Sequence, residues 1–193
     1  GRDRISINAM NETTKDLITS ATVSVSIGSY AGALPMLEQA LQDKPLHARA
    51  NFLLATCRLK MATEKMRKQL PRNHFLSPLL DALSKSPDKC FLHYGLALVR
   101  SSLGDSNWIA DADRAVKMSV ASKNTWTLAS VGSLLRKLIE YERAFDVFLQ
   151  LLSWNEHNLK ARKDLATCYR KSGFLDKARE QYEILLETLG QDL

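Results

Sequence analysis

Two pairs of side chains in this sequence have residue types and spacings that could support chemistry. Cys90 and His93 lie one helical turn apart, and a thiolate and an imidazole can share a metal ion. No second pair of this kind lies nearby, however, and a closed zinc site requires four ligands. Asp111 and Asp113 form an acidic pair, but residues two apart on a helix point in different directions. We therefore predict no metal at the first pair and a solvated helix start at the second.

The chain carries none of the motifs by which most enzymes are recognised. It has no glycine-rich phosphate loop, no serine in a nucleophile elbow and no His-Glu metalloprotease helix. Its four histidines stand at separate points of the chain, without a shared partner. The sequence predicts a protein that is not an enzyme and that uses neither a cofactor nor a metal.

The cysteines and the amino-terminal residues bear on the compartment. Cys57, Cys90 and Cys168 are an odd number without close spacing, which favours a reducing environment over a disulfide framework. The first ten residues lack the apolar core of a signal peptide, and no stretch approaches the roughly 20 apolar residues that span a membrane. We expect a cytoplasmic protein without membrane contact, in which residues 1–13 are a leader, either a cloning remnant or flexible.

The elements that must position any functional residue recur in the last third of the chain after a step of 34. The matched pairs are Leu135 and Tyr169, Ala144 and Ala178, and Phe148 and Tyr182. A period of this length is typical of repeat arrays. Within one copy, apolar residues at steps of three and four flank Gly173, which predicts two helices joined by a tight turn. Gly173 suits a left-handed helix end, and the acidic Asp176 suits the start of the next helix.

One copy of this unit resembles the tetratricopeptide repeat (TPR) family. Leu165, Ala166 and Tyr169 stand where the family motif has its Leu, Gly and Tyr, and Ala178 and Tyr182 match its Ala and Phe. The resemblance implies an all-α fold, a right-handed α-solenoid of antiparallel helix pairs that forms a TPR-like superhelix.

The same register extends through the chain with two length corrections. It predicts a single TPR-like repeat domain at residues 14–193, with repeats at about 14–47, 48–89, 90–124, 125–158 and 159–192. In the second repeat, helices are expected from about Ala48 to Ala62 and from about Phe75 to Lys85. The segment Thr63 to Asn73 is expected to be an inserted loop, because Pro71 lacks the donor that a helix interior requires.

In TPR arrays the first helix of each pair lines a concave surface, and this geometry assigns candidate binding residues. The predicted partner-binding residues are Phe52, Tyr94, Trp126, Arg136, Lys137, Lys160, Lys163, Arg170 and Lys171. Six converging cations would attract a carboxylate-rich or phosphorylated segment, and aromatic side chains would supply anchors. The alternative is an ordinary solvated face, because Lys and Arg are common on exposed helices.

The resemblance implies a non-catalytic scaffold or adaptor that binds a protein or peptide, with an acidic segment as the candidate ligand. One alternative is a regulatory or substrate-recognition arm of a larger enzyme, such as a glycosyl- or sulfotransferase. A weaker alternative is RNA binding by the basic half, so nucleic acid is the less favoured partner. The sequence stops at Leu193 without a polar capping helix, which favours the enzyme arm or self-association through the last repeat.

Overall fold

Helices make up the regular structure of the chain in this computed structural model, which describes residues 2–191 and the side chains of residues 13–190. The described residues contain eleven helices and no strand. The helices are α1 (Arg2–Ser26), α2 (Tyr30–Asp43), α3 (Ala48–Met61), α4 (Glu64–Gln69), α5 (Arg72–Lys85), α6 (Cys90–Ser102), α7 (Trp108–Ser122), α8 (Thr125–Lys137), α9 (Tyr141–Trp154), α10 (Leu159–Lys171) and α11 (Leu175–Gln191).

These helices form two compact units, residues 1–111 and residues 112–193. In the first unit α1 packs against α2, α3 packs against α5, and α6 contacts both α3 and α5. In the second unit α8 packs against α9, and α10 packs against α9 and α11. Short turns join consecutive helices, so neighbours in sequence run antiparallel. The predicted all-α fold of antiparallel helix pairs is confirmed, while the five repeat boundaries and the single domain stay predictions.

The turn at Gly173 shows how one helix ends and the next can fold back. Gly173 has a φ of +83°, which is the left-handed region where a side chain is unfavourable. Its N–H donates to the carbonyl of Arg170, and the N–H of Phe174 donates to the carbonyl of Tyr169. This pair of hydrogen bonds satisfies carbonyl groups that the helix end leaves open. The same pair, with positive φ at the corresponding residue, ends the helices before Gly28, Gly104, Lys123 and Ile139.

The repeating apolar residues form the core of the second unit. Leu135, Phe148 and Tyr169 are buried, as are the small residues Ala144 and Ala178. Five of the six positions predicted from the step of 34 therefore lie inside, where α8 and α10 meet the helices that follow them, and the sixth, Tyr182, is half-buried. Small side chains at Ala144 and Ala178 leave room for the larger ones to interlock.

The inserted segment of the first unit is partly helical, which corrects the predicted loop. Helix α4 begins after Thr63, whose Oγ1 accepts a hydrogen bond of 3.2 Å from the N–H of Met66. Helix α5 begins at Arg72, three residues before the predicted start, with Pro71 at its cap position. Proline is compatible with a helix start because the first N–H groups have no partner within the helix. Arg67 ties α4 to α3, because its Nη2 donates to the carbonyl of Leu59 at 3.2 Å.

The amino-terminal residues are helical, and none of the described helices could span a membrane. Helix α1 begins at Arg2, so most of the predicted leader, residues 1–13, is helical in the structure, whereas the side chains of residues 1–12 lie outside the described part. Within residues 2–191, every helix is too short or too polar to cross a bilayer.

Candidate binding face on α8 and α10

Helices α8 and α10 begin and end in the same way, which places their side chains in register. The Oδ1 of Asn124 accepts a hydrogen bond of 2.9 Å from the N–H of Thr127 at the start of α8. The Oδ1 of Asn158 accepts one of 3.0 Å from the N–H of Ala161 at the start of α10. Asparagine is among the residues that cap helices best. Because the caps lie 34 residues apart, equivalent positions of the two helices present equivalent side chains.

The buried and exposed sides of α10 are cleanly divided. Ala161, Leu165, Ala166, Cys168 and Tyr169 are buried and define one side of the helix. Successive residues of an α-helix are rotated by about 100° around its axis, and this rotation places the exposed cations on the opposite side. These cations are Lys160, Lys163, Arg170 and Lys171.

Helix α8 carries two more cations at equivalent positions. Arg136 and Lys137 occupy its last turn, at the positions that Arg170 and Lys171 occupy on α10. We call the six side chains together the basic face. Its members are Arg136, Lys137, Lys160, Lys163, Arg170 and Lys171.

One carboxylate lies between the two helices and joins them. Asp164 is largely buried, with 14% of its side chain exposed, and its Oδ2 lies 3.0 Å from Nζ of Lys160. Its Oδ1 lies 3.8 Å from Nε of Arg136, across the contact between α10 and α8. Asp164 therefore holds two members of the basic face in place, a role that sequence reasoning missed. The signal was available, because Lys160 and Asp164 have the i, i+4 spacing of a helical ion pair.

The other four members of the basic face have no such partner. Lys137, Lys163, Arg170 and Lys171 are exposed, and the described side chains offer them neither an ion pair nor a hydrogen bond. The remaining cation of α10, Arg162, lies apart from this set, since it donates to Oε1 of Gln181 on α11 at 2.8 Å. The basic face thus has four cations that a ligand can reach without breaking an existing contact.

Charge differs between the first and second helices of the pairs. Helices α8 and α10 together hold seven cations and one carboxylate, whereas α9 and α11 hold three cations and six carboxylates. The positive charge is therefore concentrated on α8 and α10, and the chain's net charge of +6 is not spread evenly over the helices of this unit.

The predicted aromatic residues fall into two environments. In the first unit Phe52 is buried, with 5% exposure, and its ring lies 5.6 Å from that of Phe91 and 6.1 Å from that of Tyr94. Its prediction as an exposed contact is corrected, because a ring packed among two others supports the surface from beneath. Tyr94 is half-buried, and burial raises the pKa of its hydroxyl. In the second unit Trp126 is 52% exposed in the first turn of α8.

The two residue pairs considered for chemistry have structural roles. Nε2 of the buried His93 lies 3.1 Å from the carbonyl oxygen of Pro87. Asp111 is not a solvated residue as predicted, because it is 7% exposed and pairs with Arg100 at 2.7 Å. Asp113 pairs with Arg143 at 3.2 Å. Among the described residues, no three metal-binding side chains lie close enough to hold an ion.

The cysteines are buried and reduced. Cys57, Cys90 and Cys168 carry free thiols, as the sequence predicts. Burial raises the pKa of both Cys57 and Cys168 to about 11, so these thiols are protonated at neutral pH. A protonated, buried thiol is a poor nucleophile and acts as a small apolar side chain.

Known proteins match this chain in structure rather than in sequence. No family model matches the chain, and no curated protein matches it. The thermophilic TPR protein TTC0263 of Thermus thermophilus superposes with a TM-score of 0.65 at 20% identity, over 90% of each chain. The fold is that of tetratricopeptide repeat proteins.

Further solved structures share the TPR fold. The TPR protein YrrB, which has an unusual peptide-binding site, gives a TM-score of 0.54 at 18% identity, over 89% of this chain and 84% of its own. PilF of Pseudomonas aeruginosa gives 0.68 at 16% identity, over 93% of this chain and 78% of its own.

Proposed function

We propose that this chain is a non-catalytic interaction module that binds an acidic protein segment on the basic face. The observation that carries the proposal is the set of four exposed, unpaired cations, Lys137, Lys163, Arg170 and Lys171, on adjacent first helices. Support for protein binding in general comes from the fold, because helical repeats usually act through extended surfaces. YrrB, a TPR protein with a peptide-binding site, is an example among the similar structures.

The length of the basic face matches a short peptide. Lys160 and Lys171 lie eleven residues apart, which is about 16 Å along a helix at 1.5 Å per residue. An extended chain advances about 3.3 Å per residue, so roughly five residues of a ligand would cover this distance. Arginine adds bidentate contacts to carboxylates, which a lysine cannot make. An acidic segment of about this length would therefore satisfy the cations of α10.

Charge alone gives this face a modest affinity. Exposed ion pairs contribute about 0.2–1 kcal/mol each, so four pairs supply roughly 1–4 kcal/mol. Trp126 stands 34 residues before Lys160, at the equivalent position of α8, and is half exposed. An aromatic side chain at this place adds apolar contact area of the kind found in binding hot spots. We propose that a ligand combines acidic residues with an apolar residue directed at Trp126.

The test measures, by anisotropy, binding of two fluorescently labelled peptides, octaglutamate and octaglutamate extended by one leucine, which supplies the apolar residue for Trp126. The variant Lys163→Glu/Arg170→Glu/Lys171→Glu is compared with Lys60→Glu/Lys65→Glu/Lys117→Glu, which changes net charge by the same amount at exposed lysines elsewhere. We expect the first variant to lose roughly 3- to 150-fold in affinity, as the loss of three ion pairs implies, and the second to bind as the wild type does.

The outcomes separate the proposal from its alternatives. Equal loss in both variants would show a response to net charge only, and no loss in either would refute the basic face. An oligouridine of matched length tests the RNA alternative. Preference for the oligonucleotide over octaglutamate, with a steep salt dependence, would replace the protein ligand by a nucleic acid.

A further inference from the structure

Helix α11 carries a line of carboxylates on its outer side. Asp176, Glu180, Glu183 and Glu187 are all exposed, and their spacing of four, three and four residues keeps them on one side of the helix. Ala178, which is buried, lies on the opposite side. We call these four residues the acidic stripe. One of them, Glu183, lies 3.6 Å from Arg179, but both side chains are well exposed, so this pair is easily exchanged.

The acidic stripe and the α10 part of the basic face have the same length. Asp176 and Glu187 are eleven residues apart, as are Lys160 and Lys171 on α10. Each line therefore extends about 16 Å along its helix. Carboxylates and cations spread over equal lengths of helix allow several ion pairs to form at once when the two helices lie side by side.

The two surfaces cannot meet within one chain. Helices α10 and α11 pack against each other through their buried sides, which include Leu165 on α10 and Ala178 on α11. The basic face and the acidic stripe lie on the sides directed away from these buried residues. Among the described residues, no ion pair joins the two sets. Their complementarity is therefore available only to a second molecule.

We propose that the basic face binds the acidic stripe of a second copy of this chain. The inference rests on the proposed function, since it identifies the acidic segment as α11 of another copy. The contact joins two different surfaces that face away from each other, so an open assembly leaves one basic face free at one end and one acidic stripe free at the other. Such heterologous contacts give rings or open chains rather than a closed dimer.

Sedimentation velocity over a range of protein concentrations tests the proposal. At about 10 mM ionic strength, where the Debye length is about 30 Å, we expect the average mass to rise with concentration. At about 1 M salt, where this length is about 3 Å, the chain should sediment as a monomer. A wild-type chain that stays monomeric at low salt up to millimolar concentration would overturn the proposal.

Charge reversal identifies the surfaces. The variant Glu180→Lys/Glu183→Lys/Glu187→Lys should associate about tenfold more weakly than the wild type, as the loss of three exposed pairs implies. A matched control reverses three exposed carboxylates of the first unit, and it should associate as the wild type does. The control variant is Glu38→Lys/Asp81→Lys/Asp88→Lys.

Mixing experiments give the sharpest result. The stripe variant has lysines where the wild type has glutamates, and Lys163→Glu/Arg170→Glu/Lys171→Glu has the converse change. Each variant alone should be monomeric, whereas an equimolar mixture should associate, because the reversed faces complement each other. A mixture that stays monomeric, or a stripe variant that associates like its matched control, would overturn the proposal.

Octaglutamate binding distinguishes this failure from failure of the proposed function. The stripe variant keeps the basic face intact, so it should bind the peptide at least as tightly as the wild type. If the peptide binds but no variant changes self-association, the acidic ligand is a different protein and only the present inference falls. If the peptide does not bind the wild type under conditions where the chain is monomeric, the proposed function falls as well.

Discussion

Replacement of Gly132 by alanine tests how closely α8 and α9 pack. A Cβ at this position would lie 2.8 Å from Cγ1 of Val147 and 2.9 Å from Cε1 of Phe148. Carbon atoms in good contact are about 3.5–4.0 Å apart, so the added methyl group is at least about 0.6 Å too close to both. Val147 and Phe148 are each 1% exposed, which leaves them little room to move. We therefore expect the substitution to destabilise the second unit.

The magnitude follows from two opposing effects. Alanine is favoured over glycine inside a helix by about 1 kcal/mol. Adding a methyl group to a filled core costs about 1–3 kcal/mol. The variant Gly190→Ala on α11 has no packing cost, because a Cβ there meets nothing within 4 Å, and it gains only part of the first effect, because it lies one residue from the end of the helix. The difference between the two changes in unfolding free energy is therefore a lower limit for the packing cost, for which we expect about 1–3 kcal/mol.

Urea denaturation followed by far-ultraviolet circular dichroism measures both variants. Gly132→Ala should unfold at a lower urea midpoint than the wild type, and Gly190→Ala at an equal or higher one. The slope with denaturant should not change, since neither variant alters the surface exposed on unfolding. Equal midpoints for the two alanine variants would refute the reasoning, because they would show that α9 can move away from the added methyl group without a loss of stability.

Two further substitutions test a turn and a titrating group. Ile139→Gly should raise the thermal midpoint, because glycine adopts the left-handed conformation of this turn (φ +68°) without strain and the isoleucine side chain, 71% exposed, contributes little packing. The left-handed cost of about 1–2 kcal/mol exceeds the added chain entropy of glycine, about 0.5–1 kcal/mol. Burial and nearby cations, Lys44 first, lower the pKa of His47, whose Nδ1 accepts a hydrogen bond from the N–H of Ala50. The folded chain therefore resists protonation at His47, so the unfolding free energy should fall as pH drops below the ordinary value of 6.5, and His47→Asn should reduce this fall.

Each of these substitutions has a control. Gly173→Ile places a β-branched residue in the equivalent left-handed turn and should lower the midpoint that Ile139→Gly raises. Asparagine at position 47 keeps a capping oxygen without titrating, so its stability at pH 8 should match that of the wild type. The pKa of His74 is also lowered, so some pH dependence persists in His47→Asn. Identical pH profiles for wild type and variant would show that His47 does not contribute.

The repeating core could be predicted because burial imposes a strict period. A residue such as Ala144 contacts its partner helix in every copy, so the same kind of side chain recurs 34 positions later at Ala178. The turn at Gly173 was predictable for a related reason, since its φ of +83° favours glycine. The equivalent turn at Ile139 could have been found by stepping back 34 residues from Gly173, although its own side chain argues against it.

Other features depend on partners that no local pattern reveals. Asp111 looks like an exposed residue at a helix start, but Arg100, eleven residues earlier on α6, neutralises it and allows its burial. Phe52 stands on the side of α3 where a groove was expected, and contacts with Phe91 and Tyr94 of α6 bury it. Helix α4 has only six residues and a local cap, which is too short for a periodic pattern to show.

The division of charge between the helices of the second unit has a kinetic consequence. The unit has an electric dipole moment perpendicular to its helices, because α8 and α10 are mainly positive whereas α9 and α11 are mainly negative. A molecule with such a moment turns in the field of an anionic neighbour before the two touch, which raises the rate of productive encounters. Stopped-flow mixing at increasing salt would show this orientation as a steep decline in the association rate constant, with little change in dissociation.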